Sequence, residues 1–307
     1  MFLKEPGKYR IKEYTIPFFS DHDKKPVVVA LIGDLHISPI VSDKRIEKVS
    51  TLLKKIKPDL IVLHGDLIDV AEFLLDESLR KKLLTELKNC VTVAPTIAVS
   101  GNHDLFIGKK EAKRLGVKRP HSPNWAEQEF ENAMKEANVR FLKDEWFEFR
   151  GIRFFGFFQD TDCLSNEKKQ LDNIPEMRKK IERLSKKGVL KTNPETVNWF
   201  VSHVPIGDIV RMKELRGFEV FSFGHMHGGL MPIGIDRVVD KLGWRGGLIG
   251  PHKELLPGRQ MRGIETLPNR AKVIVTTGVS GISSTAPKAL QNLNFLKAAE
   301  ITKVTVK

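Results

Sequence analysis

Residues 27–38 read VVVALIGDLHIS, and this stretch decides the fold. Val27 to Ile32 is apolar and mostly β-branched, the pattern of a strand covered on both faces. The run stops at Gly33 and then presents Asp34 and His36. Two residues apart on an extended backbone, those side chains point to the same side. A carboxylate and an imidazole sharing a face at the C-terminal end of a buried strand make the beginning of a metal site.

Working outward, the same arrangement recurs. Asp43 to Lys57 is helical: Ile46, Val49, Leu53 and Ile56 repeat at helix spacing, Ser42 or Asp43 caps it, and Pro58 ends it. Leu60 to Leu63 is a second buried strand, ending in His64-Gly65-Asp66. Glu77 to Lys88 forms a helix on Leu79, Leu83 and Leu87, and Thr96 to Val99 is a strand that runs into Gly101-Asn102-His103-Asp104. Strands alternating with helices predict a parallel α/β sheet, in which sites form at the strands' carboxyl ends. Before this unit, residues 9–18 suit an edge strand that tolerates Pro17.

After it, Asn124 caps a helix to Ala137 with Trp125, Phe130, Ala133, Met134 and Ala137 inward. Short strands follow at 139–142, 146–149 and 152–157. A basic amphipathic helix spans 175–187 on Met177, Ile181 and Leu184. Asn198 to Ser202 and Phe218 to Phe223 are strands that each deliver histidine. Residues 228–270 are rich in Gly and Pro without periodicity, and Lys272 to Thr276 and Ile301 to Val306 close the fold. No linker, repeat or low-complexity segment interrupts the chain, so residues 1–307 read as one domain.

With 307 residues, 41% of them hydrophobic, the chain supports a sizeable core. No apolar run approaches the roughly 20 residues of a membrane helix. The first residues carry neither an apolar leader region nor a small-residue cleavage site, which predicts a cytoplasmic protein. Cys90 and Cys163 make no spacing pattern and read as thiols of a reducing compartment. The net charge of +13 is concentrated in residues 108–120, 167–191 and 236–272. Such a balance suits an anionic partner: a phosphorylated small molecule or lipid headgroup, nucleic acid, or an anionic membrane surface met peripherally.

Five loops carry chemistry: Asp34-x-His36, Gly65-Asp66, Gly101-Asn102-His103-Asp104, Ser202-His203 and Gly224-His225-Met226-His227. Asp66, acidic and directly after a strand, can offer one carboxylate oxygen to each of two cations about 3.5–4 Å apart. Asn102 offers an amide oxygen that adds no charge. His225 and His227 share a face by the two-residue repeat, and Gly224, Gly228 and Gly229 let the backbone bend around them. The mixed oxygen and nitrogen set suits Mn, Fe or Zn and is too rich in nitrogen for Ca. His64 either supports a ligand or packs, and Asp69 supports the Asp66 loop. His22, His121 and His252 read as solvent-facing. Phe154, Phe155, Phe157 and Phe158 read as core. Arg245, Lys253, Arg259 and Arg262 suit phosphate recognition or a lid.

The ordered set D-x-H, G-D, G-N-H-D, H, G-H-x-H resembles the calcineurin-like metallophosphoesterase superfamily. The strand before D-x-H, the His-Gly-Gly after the last motif and Val275-Thr276-Thr277-Gly278-Val279-Ser280 are similar to a bacterial phosphohydrolase and phosphodiesterase branch. That branch is distantly related to the pyrophosphatases that cleave UDP-diacylglucosamine. It commonly has Thr and Gln where this chain has Met226 and Leu230. The resemblance implies a four-layer α/β/β/α sandwich of two mixed sheets flanked by helices. It implies two divalent metal ions, manganese favoured: Asp34, His36 and His227 on the first, Asn102, His203 and His225 on the second, Asp66 bridging. It implies that His103 acts on the substrate with Asp104 orienting its ring. The implied reaction is hydrolysis of a phosphodiester or pyrophosphate in a small-molecule or lipid-headgroup substrate, by in-line attack of a metal-bridging hydroxide. The alternative is a metal-dependent nuclease acting on DNA or RNA.

Overall fold

The strand sequences bury apolar side chains on both faces, and the structure has covered both faces. The computed structural model describes residues 8–18, 25–105, 124–160, 174–227, 260–280 and 297–307, with Pro6, Cys163, Ile235, Val238, Lys241 and Leu242. In chain order the first elements are β1 (Lys8–Ile16), β2 (Val27–Ile32), α1 (Asp43–Ile56), β3 (Leu60–Leu63), α2 (Glu77–Val93), β4 (Thr96–Ala98) and a single helical turn, α3 (Asn102–Leu105). They continue with α4 (Trp125–Glu136), β5 (Arg140–Phe141), β6 (Glu145–Phe149), β7 (Ile152–Gly156), α5 (Ile174–Lys186), β8 (Val197–Val201) and β9 (Val220–Phe223). Last come β10 (Gly263–Thr266), β11 (Lys272–Val275) and β12 (Ala298–Val306).

Two six-stranded sheets result, ordered β1-β12-β2-β3-β4-β5 and β10-β11-β9-β8-β7-β6. Both are mixed. β2 to β5 run parallel while β12 meets β2 antiparallel; β7, β8, β9 and β11 run parallel while β6 and β10 are antiparallel edges. The two-residue repeat sorts each strand's side chains between layers. Val29, Leu31, Leu60, Val62, Phe154, Trp199 and Val201 meet between the sheets. Ala30, Ile32, Ile61 and Leu63 face α1, α2 and α4, while Phe155, Phe157, Phe200 and Phe221 face α5. Each such buried side chain contributes roughly 1.5–3 kcal/mol. The four-layer α/β/β/α sandwich is thus the observed fold, and the Phe154–Phe158 aromatics are core as expected.

The helices follow their apolar stripes. α1 buries Ile46, Val49, Leu53 and Ile56 and ends on Lys57 in the left-handed region, just before Pro58. In α2 the Asp76 carboxylate accepts from the Leu79 amide at 3.0 Å. This helix outruns its expected end at Lys88 by five residues, because Cys90 continues the buried stripe as far as Ala94-Pro95. In α4 Trp125, expected inward, is only half-buried. Strand β10 falls inside the segment that showed no periodicity; it exists by pairing with β11 across the 267–271 turn.

Glu86 on α2 is buried, and burial pushes its carboxyl up to about 8. The folded state therefore holds this proton at pH values where the unfolded chain has lost it. The stability it carries is complete below its ordinary value of 4.5 and is lost as pH rises toward 8. We expect a loss of roughly 5 kcal/mol across that range in the native protein and a flatter profile in Glu86→Gln. Urea unfolding at a series of pH values checks it, and equal slopes in the two proteins would refute it.

Candidate metal centre

All the expected site residues sit at the carboxyl ends of β2, β3, β4, β8 and β9, where the two sheets come together. β2 ends at Ile32, so Asp34 and His36 are in loop rather than strand. Their φ values are 56° and 48°, and Asp66, His225 and His227 are left-handed as well, at 49°, 66° and 45°. The shared orientation of Asp34 with His36, and of His225 with His227, thus comes from left-handed turns and not from the extended repeat. Asp and His tolerate this region better than most residues, but each instance still costs on the order of 1–3 kcal/mol. Backbone hydrogen bonds hold the turns in place: the Asp34 amide donates to the Gly65 carbonyl at 3.0 Å and the His36 amide to the Asp66 carbonyl at 2.9 Å. Gly65 (φ 79°) and Gly101 are needed because the loops touch. A Cβ on Gly65 would lie 2.3 Å from the Gly101 nitrogen, and one on Gly101 would lie 2.2 Å from Asp66 Oδ1.

The side chains form two groups of donors. Atoms of Asp34, His36 and His227 lie within 4.8 Å of one another, as do atoms of Asp66, His203 and His225. Asp66 joins the groups: its Oδ2 lies 3.0 Å from His203 Nε2 and 3.7 Å from His36 Nε2. His36 Nε2 and His227 Nε2 are 3.3 Å apart, and so are His225 Nδ1 and His203 Nε2. Lone pairs brought this close without solvent suit a cation between them. Two further buried oxygens, Asp34 Oδ2 and Asn102 Oδ1, have no hydrogen-bond partner among the described residues. Two carboxylates, one amide and four imidazoles therefore fit two divalent cations by number, chemistry and burial.

Neighbouring groups fix which nitrogen each imidazole presents. His36 Nδ1 donates to Asp69 Oδ1 at 2.6 Å, and His203 Nδ1 donates to the His64 carbonyl at 2.5 Å, so each turns Nε2 inward. Asp69, expected to support the Asp66 loop, thus holds His36. The His64 ring is buried at 2.7 Å from Ser222 Oγ, and that oxygen also accepts from the Trp199 indole at 2.8 Å. Burial pulls the His64 imidazole down to about 3.

His103 is half-buried, and its ring meets that of His36 edge-on with centroids 4.8 Å apart. Its amide donates to Asp66 Oδ1 at 2.8 Å, and its Nδ1 donates to the Asp69 carbonyl at 2.7 Å. His36, Asp69 and His103 also lie close enough to share an ion. Within this trio His36 Nδ1 bonds the Asp69 carboxylate and His103 Nδ1 bonds the Asp69 main-chain carbonyl. Asp104, expected to orient the His103 ring, makes its described hydrogen bonds to backbone amides. Asp104 Oδ1 accepts from the Leu67 and Ile68 amides at 2.8 and 3.0 Å, and its Oδ2 from the Gly101 amide at 2.7 Å. It clamps the Asp66 loop to the Asn102 loop.

Electrostatics follow from this packing. Burial alone would raise the Asp66 carboxyl, but His203, His103 and His36 hold it well below the usual carboxylate range. Burial would likewise lower His203, yet Asp66 lifts it to about 9. Burial, helped by Asp66, raises Asp104 to about 7. Of the basic residues assigned to phosphate recognition or a lid, Arg262 is buried rather than displayed. Arg245, Lys253 and Arg259 lie outside the described residues, as do His22, His121 and His252 and the whole 108–120 loop.

Known proteins are similar to this chain in sequence and in fold. Phosphodiesterase YaeI of Escherichia coli (strain K12) is 33% identical over 116 residues, which is 38% of this chain and 41% of that protein. The chain thus spans well under half the length of that relative. An uncharacterized metallophosphoesterase of Aquifex aeolicus (strain VF5) is 20% identical over 222 residues, 72% of this chain and 71% of the relative. Among solved structures, a dimetal phosphatase from Danio rerio is similar at 15% identity and a TM-score of 0.45, over 83% of this chain and 88% of that one. The model of one family, described as calcineurin-like phosphoesterase, matches residues 27–229. That span opens on β2 and closes just beyond His227, so it brackets every donor in the cluster: the chain belongs to the calcineurin-like phosphoesterases.

Proposed function

We propose that this chain is a two-metal phosphodiesterase or pyrophosphatase acting on a small-molecule or lipid-headgroup substrate. The observation that carries the proposal is the pair of donor groups meeting on one carboxylate, Asp66, with Asp34 Oδ2 and Asn102 Oδ1 left over. Asp34, His36 and His227 would hold one cation, Asn102, His203 and His225 the other, and Asp66 both. Bound there, the cations supply Lewis acidity and lower the pKa of water toward neutrality.

The chain's own residues do the rest. Asp69 and the His64 carbonyl keep His36 and His203 in the tautomer that turns Nε2 inward. The Asp69 carbonyl engages His103 Nδ1 and so orients the ring, and His103 Nε2 would carry a proton to the leaving oxygen. β1 and β12, from the two ends of the chain, pair side by side in the first sheet, and on that ground we take residues 1–307 as one domain. Both described cysteines are free and buried. We therefore propose a reducing, cytoplasmic setting; manganese as the working metal is a separate proposal, supported by the mixed oxygen and nitrogen donor set. No helix among the described residues is long and apolar enough to cross a membrane.

Metal-stripped protein reloaded with manganese should hydrolyse bis-p-nitrophenyl phosphate faster than p-nitrophenyl phosphate, and chelator should abolish the activity. Turnover of the monoester alone would replace the diesterase proposal with a phosphatase. The net charge of +13 favours one second reading, hydrolysis of nucleic acid. That reading requires DNA or RNA affinity that falls steeply with salt; no binding at low salt excludes it.

A further inference from the structure

Asp34 is supported from a part of the chain that the matched family region does not reach. β11 leads into Thr276-Thr277-Gly278-Val279-Ser280, which lies against the Asp34 turn. The Val279 amide donates to the Gly33 carbonyl at 3.0 Å and the Ser280 amide to the Asp34 carbonyl at 2.8 Å. Gly278 has φ 76°, and a Cβ on it would lie 2.6 Å from Asp34 Oδ2. The loop therefore covers the face of the carboxylate as well as its backbone.

The loop is itself clamped from the last strand. Lys297 is buried, and its Nζ donates to the Thr277 and Ser280 carbonyls at 2.8 and 2.5 Å. Thr277 Oγ1 donates to Glu300 Oε1 at 3.0 Å, and the Glu300 amide donates to the Gly278 carbonyl at 3.0 Å. Glu300 is in turn held by Arg10 of β1 at 2.9 Å, and Arg45 of α1 reaches Ser280 Oγ at 3.1 Å. Asp34 and Glu300 are the carboxylates whose charge Lys297 feels most. A buried ammonium normally costs stability. Here it ties the Thr277 and Ser280 carbonyls to the start of β12.

We infer that Lys297 is a positioning residue for the Asp34 cation, acting through the Thr276–Ser280 loop. The inference rests on the two-cation proposal above, with Asp34, His36 and His227 as one donor group. It adds that the C-terminal segment bears directly on Asp34, whereas its described contact toward the Asn102, His203 and His225 group stops at the Phe223 carbonyl, two residues before His225. Asp34 holds a left-handed φ of 56°, a conformation kept only where the surroundings enforce it. Residues that orient metal ligands from behind typically change metal affinity about 10–100-fold.

The test is a stepwise titration of metal-stripped protein with manganese, followed by calorimetry, on the native chain, Lys297→Met, Lys297→Arg and Gly278→Ala. Two native binding steps are expected. Lys297→Met and Gly278→Ala should weaken one step about 10–100-fold and leave the other within roughly 3-fold, and Lys297→Arg should recover part of the loss. Hydrogen exchange on the native protein gives a readout that does not depend on how any variant folds. The Val279 and Ser280 amides should exchange more slowly once manganese is added. Two unchanged steps in Lys297→Met, or equal weakening of both, would overturn the inference; so would Val279 and Ser280 amides indifferent to metal. Failure of the native chain to bind two cations would instead overturn the proposal it rests on.

Discussion

Replacing Asp66 with Asn is expected to lower kcat by roughly 10³-fold or more and to leave fewer than two cations per chain. The amide oxygen can still accept the His103 amide, now 2.8 Å from Oδ1. What disappears is the negative charge, and with it the second oxygen, which lies 3.0 Å from His203 and 3.7 Å from His36. Those two imidazoles belong to different donor groups, so the substitution reaches both. An amide nitrogen in that position would point a donor at nitrogens meant for a cation. Elemental analysis of the purified variant, reloaded with excess manganese, checks the outcome. Full occupancy of two sites would remove Asp66 from its bridging role whatever the rate.

Replacing His103 with Ala is expected to lower kcat by roughly 10²–10⁴-fold with both cations retained. The reason is the division of labour in the loop. The His103 backbone touches Asp66, while its ring is tied through Nδ1 to the Asp69 carbonyl and belongs to neither predicted donor group. A ring that delivers a proton to the leaving oxygen matters most when that oxygen leaves poorly. The loss should therefore be large with an alkyl ester and small with a p-nitrophenyl ester. Equal losses on the two substrates would contradict proton delivery, and loss of metal would move His103 into the metal site.

The site was more legible in the sequence than its geometry. Strands made wholly of apolar residues identified β2 and β3, a strand apolar but for Asn198 identified β8, and the polar residues just beyond them identified Asp34, Asp66 and His203. The period of two then gave a wrong reason for a correct pairing. Asp34 and His36 come together through left-handed turns, as do His225 and His227. Such turns carry no periodic signal; the flanking glycines were the only trace. The bonds of Asp104 carry no signal in its neighbours along the chain: the helical turn of α3 aims it at the amides of Leu67 and Ile68. The support of His36 by Asp69 was half visible, as a second acid three residues after Asp66. The support of Asp34 by Lys297 was not, because it joins residues brought together only by β12 lying beside β2. Strand β10 was missed for the same kind of reason: its partner, not its own four residues, makes it a strand.

The most direct test of the account is to count and locate the cations. Crystals of manganese-loaded protein, measured at the metal's absorption edge, should give two anomalous peaks about 3.5–4 Å apart on either side of the Asp66 carboxylate. One peak should touch Asp34, His36 and His227, and the other Asn102, His203 and His225. A single peak, or two peaks that do not share Asp66, would contradict the two-metal centre on which the proposed phosphodiesterase depends.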